Sequence, residues 1–161
     1  MNICLEPMTK ELAKRYFTNF EVDPILFMDG QPYKPYVYKE SAAEATVDRY
    51  AQMGRVYLAI MRNGEPIGEI ILKKIDHQAK YCTLGISLQR DEFKNQGYGT
   101  VAERFALQYA FRELNMETVY ADSLIKNTRS QHVLEKVGFT QTHRDDSFVY
   151  YRCDRAGWSI T

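Results

Sequence analysis

Apolar residues in the first third of the chain follow the spacing of two helices, which a turn-rich stretch separates. The first helix is predicted over roughly 9–20, with Thr9 as its N-cap. Residues 23–39 are rich in proline and aromatic residues and interrupt any helix. The pattern Ser41-Ala-Ala-Glu44 is typical of a capping box, so a second helix should begin there and run to about Met53.

The middle of the chain changes to the two-residue alternation that is typical of β-strands. Strands are predicted at 56–61, 66–75 and 80–88. Asn63-Gly64 favours a tight hairpin between the first two strands. Because the turns are short and polar, these strands should form an antiparallel meander.

Helical and strand spacing then alternate to the end of the chain. The predicted elements are a helix over 98–114, a strand over 117–124, a helix that Thr128-Arg-Ser-Gln131 opens and Gly138 ends, and strands at about 139–144 and 147–153. The order ααβββαβαββ predicts a single α+β domain over 1–161. Its sheet should be mostly antiparallel, with one central, right-handed βαβ crossover between parallel strands.

Composition narrows the class of protein. The chain has 161 residues with 21 basic and 21 acidic side chains, so no overall positive charge indicates a nucleic-acid partner. The first residues carry too much charge for a signal peptide, and no apolar run reaches the length of a membrane span. Cys4, Cys82 and Cys153 are widely separated, as expected of reduced thiols in a cytoplasmic protein. No Cys/His cluster has metal-ligand spacing, so we expect no metal.

The stretch RDEFKNQGYGT, residues 90–100, is the first candidate for chemistry. It places glycines at 97 and 99, directly before a predicted helix. Glycine lets backbone N–H groups approach a ligand without a Cβ in the way. The N-terminus of a helix adds unpaired N–H donors and a partial positive charge. The loop therefore predicts an anion site, and phosphate is the expected anion.

Two familiar phosphate motifs fit this loop incompletely. A P-loop needs Lys followed by Ser or Thr after its last glycine, whereas Thr100-Val101 follows Gly99 here. The run Gly97–Ala102 does match the dinucleotide pattern G-x-G-x-x-G/A, and Asp122 follows at a plausible distance. That motif wants its first glycine at the end of a strand, however, and residues 89–96 intervene. A dinucleotide-binding domain remains an alternative.

The chain resembles the GCN5-related N-acetyltransferases (GNAT) at two segments. Their acetyl-CoA loop has the form Arg/Gln-x-x-Gly-x-Gly/Ala, and Lys94-Asn-Gln-Gly-Tyr-Gly99 is similar, with Lys in the first place. A second family segment resembles Asn127–Phe139, NTRSQHVLEKVGF. The resemblance extends from about Val56 to Tyr151. Among the subgroups, the chain is most similar to the one that includes the ribosomal-protein N-terminal acetyltransferases.

This resemblance implies an enzyme that moves an acetyl group from acetyl-CoA to a primary amine, on a protein N-terminus or a small molecule, by direct attack on the thioester. Backbone N–H groups of the loop would hold the pyrophosphate, and Lys94 would add a positive charge. The pantetheine arm would pair with the strand before the loop. The cofactor-binding residues implied are Ile86, Ser87, Leu88, Lys94, Asn95, Gln96, Gly97, Tyr98, Gly99, Thr100, Asn127 and Ser130.

The chain departs from the family at Leu134, where many members have the tyrosine that protonates the departing thiolate. Leucine has no proton to give, so the thiolate leaves without a dedicated acid, or another group serves. Ser130, which the resemblance places near CoA or the sulfur, is a candidate catalytic residue. A non-catalytic acyl-CoA-binding module is the alternative that Leu134 motivates.

The acceptor site is predicted from a carboxylate and from the turn-rich stretch. Glu69 lies mid-strand, on the face of Ile67 and Ile71 by two-residue alternation. It is a candidate general base and acceptor ligand, although a solvent-facing strand glutamate is the simpler interpretation. The family's acceptor site borders the segment between the first two helices, which implies substrate-binding roles for Tyr33 and Tyr36. A loop that is simply packed on the domain is the alternative for these tyrosines. The expected partner of the protein is the amine acceptor, and a homodimer is a further alternative.

Overall fold

The computed structural model describes residues 2–27 and 29–159. Its strands are β1 (Ile3–Pro7), β2 (Val56–Arg62), β3 (Glu65–Asp76), β4 (Tyr81–Leu88), β5 (Thr118–Leu124), β6 (Thr140–Arg144) and β7 (Phe148–Asp154). Its α-helices are α1 (Lys10–Thr18), α2 (Glu40–Gln52), α3 (Tyr98–Gln108) and α4 (Thr128–Val137). A π-helical turn, Tyr109–Glu113, continues α3. No helix in these two described ranges is long and apolar enough to cross a membrane.

The strands form one mixed sheet. Over the described residues its seven strands have the order β1-β2-β3-β4-β5-β7-β6, and β4 with β5 is the parallel pair. The predicted α+β class, with an antiparallel meander and one parallel crossover, is therefore confirmed. The predicted order omitted β1, which pairs with β2 at the edge of the sheet. That strand is only five residues long, and its burial pattern does not alternate clearly, so the sequence signal is weak.

Two of the helix starts differ from the predicted caps. Thr9 caps α1 as expected, because its Oγ1 accepts the Leu12 N–H at 3.1 Å. Helix α2 begins at Glu40, with Lys39 at the N-cap and no side-chain cap, so the Ser41 capping box is wrong. Helix α4 is capped by Asn127, whose Oδ1 accepts the Ser130 N–H at 3.2 Å. The cap therefore precedes the predicted Thr128 by one residue.

The helices cover the sheet on opposite faces. Apolar residues of α3 and α4, among them Ala102, Leu107 and Leu134, pack in the larger core against the central strands. A smaller core around Tyr57 and Ala59 packs against α1 and α2. Gly138 ends α4 at φ +118°, a left-handed conformation that favours glycine, which confirms the predicted helix end.

The sheet opens between its two parallel strands. Pairing between β4 and β5 covers Tyr81–Thr83 against Thr118–Tyr120 and then stops. Beyond that point β4 stays paired with β3 as far as Leu88, and β5 stays paired with β7 as far as Leu124. Each strand is thus held on its outer side only. The result is a wedge-shaped opening at the carboxyl ends of the two strands, beside the N-terminus of α3.

Candidate active site

The glycine loop ends directly at the first turn of α3. Gly97 is the N-cap of α3 and has φ +86°, a conformation that costs other residues strain. Gly99 has no such φ, and a Cβ built on it would meet no atom within 4 Å. The protein's own packing thus leaves open the space at Gly99. Gly99 faces a cavity between α3 and α4. We call it the phosphate cavity.

Basic side chains surround the phosphate cavity, but the predicted one is already paired. Lys94 lines it, yet the Nζ of Lys94 lies 2.9 Å from Asp23 Oδ2 and 2.9 Å from Asp91 Oδ1. The positive charge that the sequence expects at Lys94 is thus present at the cavity but is balanced by two carboxylates. Arg129 and Lys136 of α4 line the same cavity and were missed. With His132, also in the lining, they occupy positions i, i+3 and i+7 of one helix, which is the signal that could have found them.

The other predicted loop residues contribute mainly backbone. Asn95 and Thr100 line the phosphate cavity. Gln96 donates its side-chain N–H to the Glu92 carbonyl within the loop. The ring of Tyr98 is buried in the larger core, so only its backbone N–H remains for an anion. No side chain among the described residues caps α3 at Gly97, so the first N–H groups of the helix are open to an anion, as the sequence predicts.

The edge of β4 lines a second cavity, which continues from the phosphate cavity toward the wedge. Ile86, Ser87 and Leu88 all contribute to it, and we call it the cleft. The Gln89 N–H donates to the Ile67 carbonyl of β3 at 2.8 Å. Since backbone groups alternate along a strand, those of Ser87 also point to β3, and those of Ile86 and Leu88 point into the cleft. The free backbone edge therefore belongs to Ile86 and Leu88.

The first turns of α4 close the opposite side. Asn127 and Ser130 line both the cleft and a third cavity inside the wedge, between β4 and β5. We call that cavity the wedge cavity. Leu134 lines it too and is buried in the larger core. The structure thus brings the predicted residues of α4 together with the predicted edge of β4, around one continuous opening.

Glu69 is buried on the other face of the sheet, under α1 and α2. Its exposed fraction is 9%, so the solvent-facing interpretation is wrong. The Tyr57 hydroxyl donates a hydrogen bond to Glu69 Oε2. Burial raises the pKa of Glu69 above its ordinary value, and the bond from Tyr57 pulls the pKa back in part. Tyr16, whose hydroxyl is buried without a hydrogen-bond partner among the described residues, has its pKa raised by burial and by the charge of Glu69.

Glu69 lies one strand away from the cleft. It pairs across the sheet with Ser87, which lines the cleft. Side chains directly opposite on antiparallel strands have Cβ atoms about 5 Å apart. Ile67, which was expected on the same face, packs in the core on the opposite face. The irregular register between β2 and β3 near Met61 shifts the alternation at that point.

The two predicted acceptor tyrosines have different neighbours. Tyr36 packs against Phe17 and Phe20 of the α1 region, with ring centroids 5.6 and 5.3 Å away. Burial and the nearby charges of Tyr38 and Glu69 raise the pKa of Tyr36. Tyr33 is exposed and donates its hydroxyl to the Val22 carbonyl at 3.0 Å. The structure therefore associates Tyr36 with Glu69 and leaves Tyr33 on the outer part of the loop.

A buried glutamate on α3 was not predicted at all. Glu103 is 2% exposed, and its Oε2 is buried with no hydrogen-bond partner among the described residues. It lines both the cleft and the wedge cavity. Burial raises the pKa of Glu103 to about 8. A charged residue in the apolar stripe of this helix was the available signal, since unpaired glutamates are almost never fully buried.

Comparison with known proteins identifies this arrangement. The acetyltransferase (GNAT) domain family matches residues 2–140, which is most of the chain. The chain belongs to the GNAT acetyltransferase family. The splayed parallel strands, the glycine loop at α3 and the start of α4 are thus parts of a GNAT acetyltransferase domain. The dinucleotide-binding interpretation is wrong.

Individual GNAT relatives agree with this assignment. The chain is 27% identical over 148 residues to a Bacillus subtilis (strain 168) protein named "Putative ribosomal N-acetyltransferase YdaF", covering 91% of this chain and 80% of that protein. Ribosomal-protein-S5-alanine acetyltransferase from Vibrio fischeri superposes with a TM-score of 0.80 at 14% identity, covering 99% of this chain and 97% of that one. AAC(6')-Ib in complex with ribostamycin and coenzyme A gives 0.78 at 18% identity, covering 98% and 96%. The two structural likenesses show the GNAT fold.

Proposed function

We propose that this acetyltransferase moves the acetyl group of acetyl-CoA directly to a primary amine. The observation that carries the proposal is the continuous opening from the N-terminus of α3 to the wedge between β4 and β5. Its first part has free N–H groups, the vacant space at Gly99 and the cationic side chains of α4. Its second part has a free strand edge. These features suit, in turn, a pyrophosphate and an extended amide-containing arm.

The chain's own groups then supply the stabilisation that acyl transfer needs. The N–H of Ile86 or Leu88 donates to the thioester oxygen as negative charge develops on it. Removing such an oxyanion donor costs about 3 kcal/mol in other enzymes. Ser130 lines both the cleft and the wedge cavity, which supports a role for its hydroxyl in orienting the sulfur. Because the oxyanion donor is backbone, side-chain substitution does not remove it.

Glu69 is the proposed base. It lies on the α1 and α2 face, one strand from the cleft and close enough to Tyr36 to raise the pKa of that residue. In this proposal the amine enters past Tyr36. Its pKa is raised by burial, which brings a carboxylate closer to the operating pH of a base. The Tyr57 hydroxyl holds the carboxylate in place, and one ordered water in between would connect Glu69 to the amine.

Direct attack is favoured over a covalent acetyl-enzyme, because no described cysteine combines access to the cleft with a low pKa. Cys82 and Cys153 are buried, and burial raises the pKa of each to about 11. Cys4 is exposed but lines a groove against Phe105, away from the cleft. A thiol nucleophile reacts as the thiolate, so these residues are poor nucleophiles.

The acceptor class is tested by release of free CoA thiol with a panel of amines. The names of relatives mention ribosomal-protein alanine, spermidine and ribostamycin, so the panel contains an alanyl peptide, spermidine, ribostamycin and free amino acids. We expect thiol release with at least one of them. If acetyl-CoA stabilises the protein thermally but no amine in the panel causes release of CoA thiol, the non-catalytic acyl-CoA-binding module that Leu134 motivates would be favoured.

Restoring a tyrosine at position 134 is expected not to accelerate turnover. Leu134 is 3% exposed, packs in the larger core and borders the wedge cavity, so the larger ring in Leu134→Tyr must displace core neighbours or occupy that cavity, and about 1–3 kcal/mol of stability is lost. The melting temperature, the acetyl-CoA Kd and kcat are measured together. A higher kcat at unchanged acetyl-CoA affinity would contradict this expectation and would show that protonation of the thiolate limits the wild-type rate.

Truncating Tyr36 is expected to change the choice of acceptor. Tyr36→Ala removes the ring packed on Phe17 and Phe20 beside the entrance to Glu69, and should alter relative kcat/KM values among amines several-fold. The acetyl-CoA Kd should stay as it is, because Tyr36 lines none of the three cavities. Tyr33→Ala is the companion variant. If Tyr33→Ala changes the preference among amines equally, Tyr33 also belongs to the acceptor site. If the wild type and both variants have identical preferences, neither tyrosine contacts the acceptor.

A further inference from the structure

Glu103 is the one described carboxylate that is fully buried and has an oxygen without a partner. An uncompensated buried carboxyl is costly, so a packed helix seldom keeps one unless it has a use. Its neighbours on α3 facing the larger core, Ala102, Ala106 and Leu107, are apolar. Because α3 packs against the larger core, an apolar residue would be expected at position 103. Packing alone does not explain the glutamate there.

The side chain of Glu103 faces the donor's path. Gly99 and Glu103 are four residues apart, so they lie on the same side of α3, about 6 Å apart along its axis. Gly99 lines the phosphate cavity and the cleft, whereas Glu103 lines the cleft and the wedge cavity. Glu103 is thus one helical turn further along the opening than the phosphate end. The residues that share both of its cavities are Ile86, Asn127, Ser130 and Leu26.

We propose that Glu103, in its protonated form, gives its proton to the CoA sulfur as the thioester breaks, in the role that Leu134 cannot fill. The inference rests on the proposed acetyl transfer. The amine nitrogen forms its bond to the acetyl carbon, and the carbon–sulfur bond breaks. The electron pair of that bond takes the Glu103 proton, which leaves a thiol and a carboxylate. The proton that the amine loses leaves through Glu69, and Glu103 is reprotonated from solvent when the thiol departs.

The charge state of Glu103 fits a proton donor. Burial raises its pKa to about 8, so the carboxyl is mostly protonated at neutral pH. An acid works best when its pKa lies near the operating pH. The charged and titratable side chains that line the same cavities are Glu21, Asp23, Lys73, Lys94, Asp122 and Arg129. Lys94, one of the two described basic residues that line the cleft with Glu103, is already paired with Asp23 and Asp91.

The first test measures the protonation of Glu103 in the protein without any donor or amine. Infrared difference spectra are recorded from about pH 6 to about pH 10 on the wild type and on Glu103→Gln. We expect the carbonyl band of a protonated carboxylic acid in the wild type to disappear with a midpoint near 8, and to be absent from the variant. A wild-type spectrum without that band at neutral pH overturns the proposal.

The second test separates proton donation from binding. Glu103→Gln keeps the size and the hydrogen-bonding capacity of the side chain and removes its acidic proton. We expect kcat at saturating substrates to fall on the order of 10²-fold, with the acetyl-CoA Kd changed less than threefold or so. Wild-type kcat should decline as pH rises through the pKa of Glu103, and the variant should lack that decline. Glu113→Gln, an exposed glutamate beyond the end of the same helix, is the control and should behave as wild type.

The outcomes distinguish this inference from the proposed function. Transfer by the wild type together with an unchanged kcat and pH profile in Glu103→Gln overturns the acid role and leaves acetyl transfer standing. A weaker acetyl-CoA Kd with unchanged kcat likewise overturns it, since Glu103 would then only bind the arm. If the wild type transfers to no amine, the proposed function fails first. If Glu103→Gln does not fold, Glu103→Asp and the wild-type infrared titration carry the test.

Discussion

Replacing Gly99 with valine is expected to abolish most acetyl-CoA binding while the fold is kept. A Cβ at Gly99 meets no protein atom within 4 Å, so the folded chain accepts it. The same Cβ projects into the phosphate cavity, where it holds an anion away from the N–H groups of α3. Losing one or two charge-assisted hydrogen bonds costs about 3 kcal/mol, which is roughly a 100-fold weaker Kd.

The control for that variant is Gly157→Val. Gly157 also has open space around a built Cβ, but it lies near the end of the chain, outside the cavities. Acetyl-CoA affinity is measured by calorimetry and stability by thermal unfolding in all three proteins. Gly157→Val should bind as the wild type does. An unchanged acetyl-CoA Kd in a folded Gly99→Val protein would show that the phosphates do not bind at the N-terminus of α3.

Gly97→Ala is the informative contrast in the same loop. Gly97 has φ +86°, so a side chain there is strained whatever ligand is bound. That substitution should lower thermal stability as well as acetyl-CoA affinity, whereas Gly99→Val lowers affinity alone. The two glycines of the loop are thus expected to have different physical roles: one sets the backbone and the other leaves room for the ligand.

Replacing Glu69 with glutamine is expected to reduce kcat/KM by about 10²-fold, the lower end of what a general base contributes. Glutamine keeps the volume and can still accept the hydrogen bond from Tyr57. It cannot take a proton from the amine. The acetyl-CoA Kd should not change, because Glu69 lies on the opposite face of the sheet from α3.

The pH profile gives the sign of this effect. Burial raises the pKa of Glu69, and a base acts only when it is deprotonated. Wild-type kcat/KM should therefore fall as pH drops through that raised pKa, and the acid limb should be lost or displaced in Glu69→Gln. Glu65→Gln, an exposed glutamate on the same strand, serves as the control. If Glu69→Gln has the same kcat/KM as the wild type at every pH, Glu69 is not the base.

The raised pKa of Glu103 also predicts how the free energy of unfolding of the wild type depends on pH. Its pKa is about 8 in the folded protein and near 4.5 when unfolded, so the unfolded chain releases the proton first as pH rises. Its contribution to stability is complete below 4.5 and is lost as pH rises toward 8. The loss is at most about 5 kcal/mol. Denaturant unfolding of wild type and Glu103→Gln across this range should show the difference, and parallel pH dependences would contradict the raised pKa.

The sequence could predict the features that depend on local backbone chemistry. The loop at Gly97 and Gly99, the cap at Thr9 and the left-handed end at Gly138 follow from what glycine and hydroxyl side chains do to a nearby backbone. The parallel crossover followed from the order of elements. The place where β4 and β5 separate did not, because it depends on which strands support each one from outside.

Features that depend on packing between distant segments could not be predicted from the sequence. The pairing of Lys94 joins Asp23 to the glycine loop over 71 positions of chain, and no local pattern indicates it. Glu69 alternates like an exposed strand residue, yet it is buried beside the smaller core, under α1 and α2. Glu103 sits in a helix whose orientation relative to the wedge becomes known only when α4 is placed. In each case the missing information was which distant segment lies against the side chain.

Direct transfer of the acetyl group from acetyl-CoA to an amine can be observed in a single turnover. Enzyme and radiolabelled acetyl-CoA are mixed in equal amounts, with and without an amine that the panel identifies. We expect CoA thiol to appear only when the amine is present, in equal amount with acetylated amine, and no label to stay on the protein. Thiol released without amine, together with labelled protein that later passes its acetyl group on, would contradict direct attack.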